Sequence, residues 1–341
     1  MRIAGRTIAP DQPPYVIAEI GVNHDGSVER ALALVEIARA AGADAVKLQL
    51  FEARRLLGRD ARLAAYQKAS GATDPMVMLA ALELPAEAMA GVVARAHEGG
   101  LHAIVTIFSP ELVDAAERLP FDAYKTASPD IQNRPLIERL LATGKPLLLS
   151  TGAATLEEVE RAAGWLGEHR HLFLHCVSSY PTPDEEASLG GRLALAQVSP
   201  HALGYSDHTT SLDTGALAVA GGACLLEKHV THDRAARGPD HATAVDAAGL
   251  AEYVRLARRA WTMRGPALKT VSACEDDVRT AARQSLTTTR DLPAGHVLTR
   301  ADLTVKRPGT GLSPACLGEI EGRTLRRPVP ADTPLCREHI A

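Results

Sequence analysis

The sequence predicts a closed (β/α)8 barrel, the TIM-barrel architecture, followed by a small second domain, and three observations predict it. Eight short apolar runs recur between alanine- and leucine-rich segments over about 260 residues, the alternation that builds a parallel sheet wrapped in helices. Polar or charged residues stand at the end of one run after another, at Glu19, Lys47, Thr106, Lys125, Ser150, His175, Ser206, His208 and His229; barrel chemistry is carried at the C-terminal ends of the strands. Beyond Arg264 the texture changes to Pro- and Gly-rich sequence with short apolar pieces. An open doubly wound sheet is the competing architecture, but contributions from so many strand ends favour a single closed mouth.

Tyr15 to Ile20 is the first strand, stopped by the turn residues Gly21-Val-Asn-His-Asp-Gly26. Ser27 caps a helix that runs to about Ala41, and Ala43 to Leu50 follow as a strand with Lys47 and Gln49 on one face, because strand side chains repeat every two residues. A helix from about Pro85 to Glu98 leads into a strand over Leu101 to Thr106, and further strands cover Phe121 to Lys125 and Pro146 to Ser150. Thr155 with Glu158 is a capping box for the next helix. His171 to Cys176, Ala202 to Ser206 and Ala223 to His229 complete the eight strands, and a final helix spans Ala247 to Arg264. The barrel therefore occupies residues 1–265. Residues 266–284 read as a linker, with Glu275-Asp-Asp277 as a solvated turn, and residues 285–341 as a small domain poor in core residues that needs a partner surface.

Composition narrows the function. The formal charge is -4, and no cluster of Lys and Arg interleaved with aromatics is present, so nucleic acid is not an expected partner. No apolar run reaches the roughly 18 residues of a spanning helix, and no signal-peptide core follows Met1, which predicts a cytoplasmic protein without membrane attachment. Aromatics make up only 4%, so the core is to be built from Ala, Leu, Val and Ile. The five cysteines are odd in number and widely spread, as incidental thiols in a reducing compartment are.

Two of the runs end in histidine, at Ser206-Asp-His208 and Glu227-Lys-His229. Imidazoles delivered by neighbouring strands supply a divalent metal with half of its protein ligands and leave positions open. Glu227 and His229 share a face, so Lys228 points the other way, toward the helices. Asp207 is either a helix cap or a site residue. Lys47 and Lys125, with Ser128, Ser150, Ser178 and Ser206 nearby, form a clamp for phosphate or carboxylate. Glu19 is placed for proton transfer or for holding a substrate hydroxyl.

Taken together these residues resemble the sialic acid synthase family. The resemblance is carried by Ala18-Glu-Ile-Gly-Val-Asn-His24, Ala45-Val-Lys-Leu-Gln49, Tyr124-Lys-Thr-Ala-Ser128, Leu149-Ser-Thr-Gly152, Leu174-His-Cys176 with Tyr180-Pro-Thr-Pro183, Gly204-Tyr-Ser-Asp-His-Thr209, Glu227-Lys-His229 and Gly238-Pro-Asp240. The tail resembles the family's antifreeze-like (SAF) domain, most clearly at Val305-Lys-Arg-Pro-Gly-Thr-Gly311.

The resemblance implies condensation of phosphoenolpyruvate with N-acetylmannosamine or a related N-acyl amino sugar, giving a nonulosonic acid and phosphate. It implies His208 and His229 as ligands of a divalent metal, usually Mn2+, with Mg2+ or Co2+ as substitutes. Lys47, Thr106, Lys125, Ser128, Ser150, Ser178 and Ser206 are implied around phosphoenolpyruvate. Gln49, Tyr180 and Asp240 are implied on the sugar side, and Glu19 and Asp130 as acid or base. Arg307 matches an arginine that the small domain reaches into a neighbouring subunit, which implies a domain-swapped homodimer. Pro129-Asp130 replaces a Gly-Glu pair common in the family, and Ser178 stands where some members have Asn. Legionaminic or pseudaminic acid synthesis from a diacetamido sugar is the near alternative. A metal-free Schiff-base aldolase using Lys125 is the alternative from another class.

Overall fold

The computed structural model describes residues 1–341, which divide into two units, Met1–Pro266 and Ala267–Ala341. The first unit is a closed barrel of eight parallel strands: β1 (Tyr15–Gly21), β2 (Ala45–Leu50), β3 (His102–Ile107), β4 (Ala123–Thr126), β5 (Leu147–Ser150), β6 (His171–Cys176), β7 (Gly204–Asp207) and β8 (Leu225–His229). Each strand pairs with its successor in the chain, and β8 closes on β1 with His229 opposite Glu19.

The alternation of side chains decides what lies inside. Ile17, Ala45, Ile104, Ala123, Leu148, Leu172, Leu174 and Leu225 fill the lower interior and are all buried. Ile3 and Ile8, flanking a hairpin of Arg2–Ile3 and Arg6–Thr7, pack onto this layer from below. The next inward rung upward is polar, with Glu19, Lys47, Thr106, Lys125, Ser150, Ser206 and Glu227 buried at the upper ends of the strands. The outward residues, such as Val16, Val46, Val105, Tyr124, Leu149 and Phe173, form one apolar cluster with the surrounding helices.

Helices begin where the caps require. Ser27 accepts from the Arg30 amide at the start of α1 (Val28–Ala40). Thr155 and Glu158 exchange hydrogen bonds at the start of the helix Leu156–Leu166. The last barrel helix spans Ala247–Arg264, and no single helix is long and apolar enough to cross a membrane. Residues 51–84, to which the sequence pattern assigns no element, hold three short helices, α2 (Ala53–Leu56), α3 (Ala65–Ala69) and α4 (Pro75–Leu82), between β2 and the helix Ala86–Glu98.

The second unit pairs Ser285–Thr288 with Leu303–Lys306 in antiparallel fashion. It has an apolar core of its own, from Leu286, Leu292, Leu298, Ile320, Leu325, Val329, Leu335 and Ile340, which corrects the expectation of a stretch too poor in core residues to pack by itself. Asp302 is buried and ties Arg290, His296 and Thr299 together. Residues 266–284 are not wholly irregular, because Asp276–Ala282 is a helix and Asp276 and Asp277 lie in its first turn. Negative charge there suits the positive end of the helix dipole, which is why the acidic run is helical rather than a bare turn.

Asp207 and Lys228 are register partners on adjacent strands, pointing out of the barrel, and both are buried. Lys228 Nζ lies 3.1 Å from Asp207 and donates to the Thr209 carbonyl at 2.6 Å. Asp207 accepts from the Thr209 amide at 2.9 Å and from its hydroxyl at 2.8 Å. Asp207 is thus a turn-forming partner of Lys228, not the cap of the helix Thr214–Ala220, whose cap position is Asp213. Burial holds the Lys228 ammonium below its usual range, with Asp207 opposing that shift. Asp207→Ala leaves this charge buried without a counterion and is expected to cost about 3–5 kcal/mol in urea unfolding. Removing both charges together, in Asp207→Leu with Lys228→Met, should cost less than the single change.

Candidate active site

The polar rung of the barrel opens upward into a cavity of about 460 Å³. Its floor is a buried network of four charges. Lys47 pairs with Glu19 and donates to Thr106 Oγ1 at 2.8 Å. Glu227 lies 3.4 Å from Lys125 and 3.9 Å from Lys47, and accepts from Ser206 Oγ at 2.9 Å. Gln49 donates to the other oxygen of Glu19 at 2.9 Å. These contacts follow from register, since Glu19 is opposite Lys47, Gln49 opposite Thr106, Thr106 opposite Lys125 and Ser206 opposite Glu227. Gly21, with φ at +29°, ends β1 in a bulge where a Cβ would collide with Glu19 and Gln49.

The charges differ in how firmly they are held. Burial alone would raise the Glu227 carboxyl, but the Lys125 and Lys47 ammonium groups outweigh it and pull it down to about 2. Burial lowers Lys47 as well, and Glu19 and Glu227 more than reverse this, so it ends above its usual range. Lys125 remains below its usual range, because burial and the neighbouring Lys47 outweigh Glu227. Half-buried Asp130 moves the opposite way from Glu227, raised chiefly by burial, with Asn133 donating to it at 3.0 Å. One carboxylate is therefore fixed as an anion while another takes up a proton more readily than usual, the divergence that assigns base and acid.

Beside this floor lies a cradle of small donors. The Gly152 amide donates to Ser128 Oγ at 3.1 Å, and Ser128 Oγ is 3.1 Å from Cys176 Sγ. A Cβ at position 152 would collide with Ser178, Cys176 and Ser128, so only glycine leaves the space open. Ser150 Oγ is buried without a protein partner, which marks it as waiting for a ligand. Hydroxyls and an amide around an empty concavity suit the oxygens of a phosphate.

The two imidazoles stand on the other side. His208 and His229 have ring centroids 5.5 Å apart and both line the cavity. His208 Nδ1 is 2.7 Å from the Val177 carbonyl, which fixes it as the donor and leaves the lone pair on Nε2. Burial and the nearby His229 push His208 down to about 3, so the ring is neutral and can ligate. His229 Nδ1 faces Asp240 at 3.3 Å. Burial lowers His229, but Asp240 and the floor carboxylates outweigh it and raise the ring overall. The two imidazoles on one open cavity are the residues that would hold a divalent cation, with Asp240 orienting His229 from behind; no third protein ligand converges with them.

Tyr180 lies over His208 at 4.3 Å between centroids, and Tyr66 of α3 lies over Tyr180 at 4.9 Å. Lys47, Gln49, Thr106, Lys125, Ser128, Asp130, Ser150, Ser178, Tyr180, Ser206, His208, His229 and Asp240 thus converge on one barrel mouth, while Glu19 is fully buried behind Lys47 and Gln49 and does not line the cavity. Arg307 lies in the second unit, exposed, just after Leu303–Lys306. Sequence reasoning left Glu227 without a role although it binds both lysines; the available signal was its position two residues before His229, on the same strand face. Tyr66 and the Gly152 amide were also missed, since neither an unassigned helix nor a backbone donor leaves a side-chain pattern.

Comparison with known proteins agrees with this geometry. The NeuB family profile matches residues 34–269, and the SAF domain profile matches residues 283–341. The chain is 35% identical over 335 residues to an N,N'-diacetyllegionaminic acid synthase of Legionella pneumophila, covering 96% of this chain and 94% of that protein. It is 30% identical to the mouse N-acetylneuraminate-9-phosphate synthase, covering 89% and 85% respectively. Among solved structures, an N-acetylneuraminic acid synthetase of Leptospira borgpetersenii in complex with citrate matches with a TM-score of 0.75 and 27% identity, covering 82% of this chain and 94% of that one. The chain belongs to the NeuB family and carries an SAF domain.

Proposed function

We propose that this protein condenses phosphoenolpyruvate with an open-chain N-acyl amino sugar, giving a nonulosonic acid and inorganic phosphate. The observation that carries this reading is one cavity holding three things together: a buried charge network, a cradle of small donors and a pair of imidazoles. Ser128, Ser150 and Ser178 hold the phosphate, the Gly152 amide fixing Ser128, and Lys47 and Lys125 face the anionic donor across the floor. Gln49, Tyr180 and Asp240 orient the sugar so that its aldehyde carbon meets C3 of the enol.

As the carbon–carbon bond forms, positive charge develops at C2 of the donor. Glu227, anionic at every working pH, is the fixed carboxylate that stabilises this charge. Water then adds at C2 and loses one proton, the aldehyde oxygen gains one to become a hydroxyl, and the new C2 hydroxyl collapses to the carbonyl, its proton passing to the phosphate that leaves with cleavage of the C–O bond. Asp130, with its raised proton affinity, serves as the acid, and Glu19, held by Lys47 and Gln49, as the base. His208 and His229, steadied by the Val177 carbonyl and Asp240, hold a divalent cation, Mn2+ or a substitute, which supplies Lewis-acid polarisation of the aldehyde when bound.

The Schiff-base alternative draws on the lowered basicity of Lys125. Family membership, however, points to enol chemistry. The reading extends to a domain-swapped dimer in the cytoplasm, in which Arg307, exposed on the SAF domain and matching a family arginine, serves the site of a second subunit.

Phosphate release from phosphoenolpyruvate, measured with a panel of N-acyl amino sugars and Mn2+, tests the reaction; silence across the whole panel overturns it. Activity should vanish on exhaustive chelation and return with Mn2+. Calorimetric titration should show weaker Mn2+ binding in both His208→Ala and His229→Ala, and unchanged binding would remove the assigned role. Glu227→Gln should lower kcat by roughly 10²–10³-fold. A carboxyl whose folded pKa is depressed contributes stability above its unfolded value and loses it as pH falls through the folded one. Wild-type stability from Glu227 should therefore decline from about pH 4.5 toward pH 2, and the Gln variant should lack this limb. Mixing inactive Arg307→Ala and His208→Ala subunits should restore part of the activity, because a hybrid dimer keeps one intact site; no recovery would argue against the swap.

A further inference from the structure

The loop that leaves β8 carries Asp240 into the cavity, yet much of its length is exposed. Its base is closed where the Thr231 amide donates to the Val245 carbonyl and the Val245 amide to the His229 carbonyl, each at 2.9 Å. Beyond that base, His232 to Ala235 and Arg237 are exposed. His241 is fully buried, with its ring held at both nitrogens: Nε2 lies 3.0 Å from Asp25 Oδ1, and Nδ1 lies 2.7 Å from Thr231 Oγ1. A carboxylate can only accept, so Nε2 carries a proton toward Asp25. Apart from Asp240, which faces His229, His241 is the residue of 231–245 whose side chain bonds outside the loop.

Asp25 belongs to the turn after β1, where its backbone holds φ at +49°, a conformation Asp tolerates better than most residues. Its second oxygen pairs with Arg30 of α1, so one carboxylate joins α1 to the loop after β8. The loop backbone rests on the imidazole, since a Cβ at Gly238 would lie 2.6 Å from the ring, and the next residue, Pro239, lines the cavity. On the far side the Asp240 carbonyl accepts from the Ala244 amide at 3.0 Å and the Thr243 hydroxyl at 2.9 Å. Asp240 is thus pinned before and after, with its carboxylate 3.3 Å from His229 Nδ1.

We infer that His241, locked between Asp25 and Thr231, is a positioning residue that aims the Asp240 carboxylate at His229 and at the amino sugar. This rests on the reaction proposed above, in which Asp240 orients the acceptor. His241 does not line the cavity, so it touches neither reactant and acts only through its neighbour. The donor cradle of Ser128, Ser150 and Ser178 follows β4, β5 and β6, away from the β1–β8 seam where the clamp sits. Loosening the clamp therefore disturbs the acceptor and leaves the donor in place.

The test measures phosphate release by the full-length protein with Mn2+, phosphoenolpyruvate and the most active N-acyl amino sugar of the panel. His241→Ala should lower kcat/KM for the sugar by roughly tenfold or more, while KM for phosphoenolpyruvate stays nearly unchanged. Asp25→Ala severs the same bond from the less buried side and should show the same split. His241→Gln, whose amide still donates to Asp25, should recover most of the loss. In an Asp240→Ala background His241→Ala should cost little further, because its effect runs through that carboxylate. Equal damage to both substrates, or fully additive losses in the Asp240→Ala background, overturns the positioning role and leaves the reaction standing. A panel silent with the wild-type protein overturns the reaction, and this role with it.

Discussion

The site depends on the buried alternation of charge among Glu19, Lys47, Glu227 and Lys125. A single ammonium or carboxylate at this depth carries a desolvation cost of several kcal/mol. Two of each, interleaved on β1, β2, β4 and β8, offset one another at distances such as the 3.4 Å between Lys125 and Glu227. The arrangement requires a closed barrel, because β8 and β4 lie on opposite sides of it and their side chains meet only across the interior. An open sheet would leave Lys125 and Glu227 several strands apart. Barrel closure and the charge network are therefore one constraint, and the donor cradle and the imidazoles are arranged around it.

Much of this was legible because a strand has a period of two. The apolar runs recurred between helical segments and most ended in polar or charged residues, so eight strands could be placed, and the period then separated Glu227 and His229 from Lys228. The structure bears out that separation, since Lys228 is held outside the barrel by Asp207 and the Thr209 carbonyl. The charge network was not legible, because it depends on register between strands that are distant in sequence, and register leaves no local mark. The helices between Phe51 and Glu83 escaped for another reason. They are short, and α4 is apolar around most of its circumference, so no amphipathic period betrays it. The acidic run Glu275-Asp-Asp277 misled as well, because the same residues that look solvated also suit the first turn of a helix.

The barrel divides its two kinds of buried charge by direction. Inside, Glu227 answers two lysines and faces the cavity, where its charge can act on a reacting carbon. Outside, one residue further on, Lys228 answers Asp207 and secures the loop that follows His208 through the Thr209 and Ser211 carbonyls. One dipeptide thus serves the floor of the site on one face and steadies its rim on the other. The pair Asp207-His208 does the same from β7, which explains why each cavity-facing histidine follows a residue of this outer ion pair.

The charge balance of the cavity bears on the order in which its occupants can assemble. Asp130, Glu227 and Asp240 line the cavity beside Lys47, Arg62 and Lys125, and Glu19 is buried against Lys47, so with these groups ionised the protein presents little net positive field to a multiply charged enol phosphate. The donor cradle contributes dipoles, which orient an anion but do not neutralise it. A divalent cation held by His208 and His229, as proposed above, would offset these carboxylates and leave Glu227 to stabilise the positive carbon that forms later.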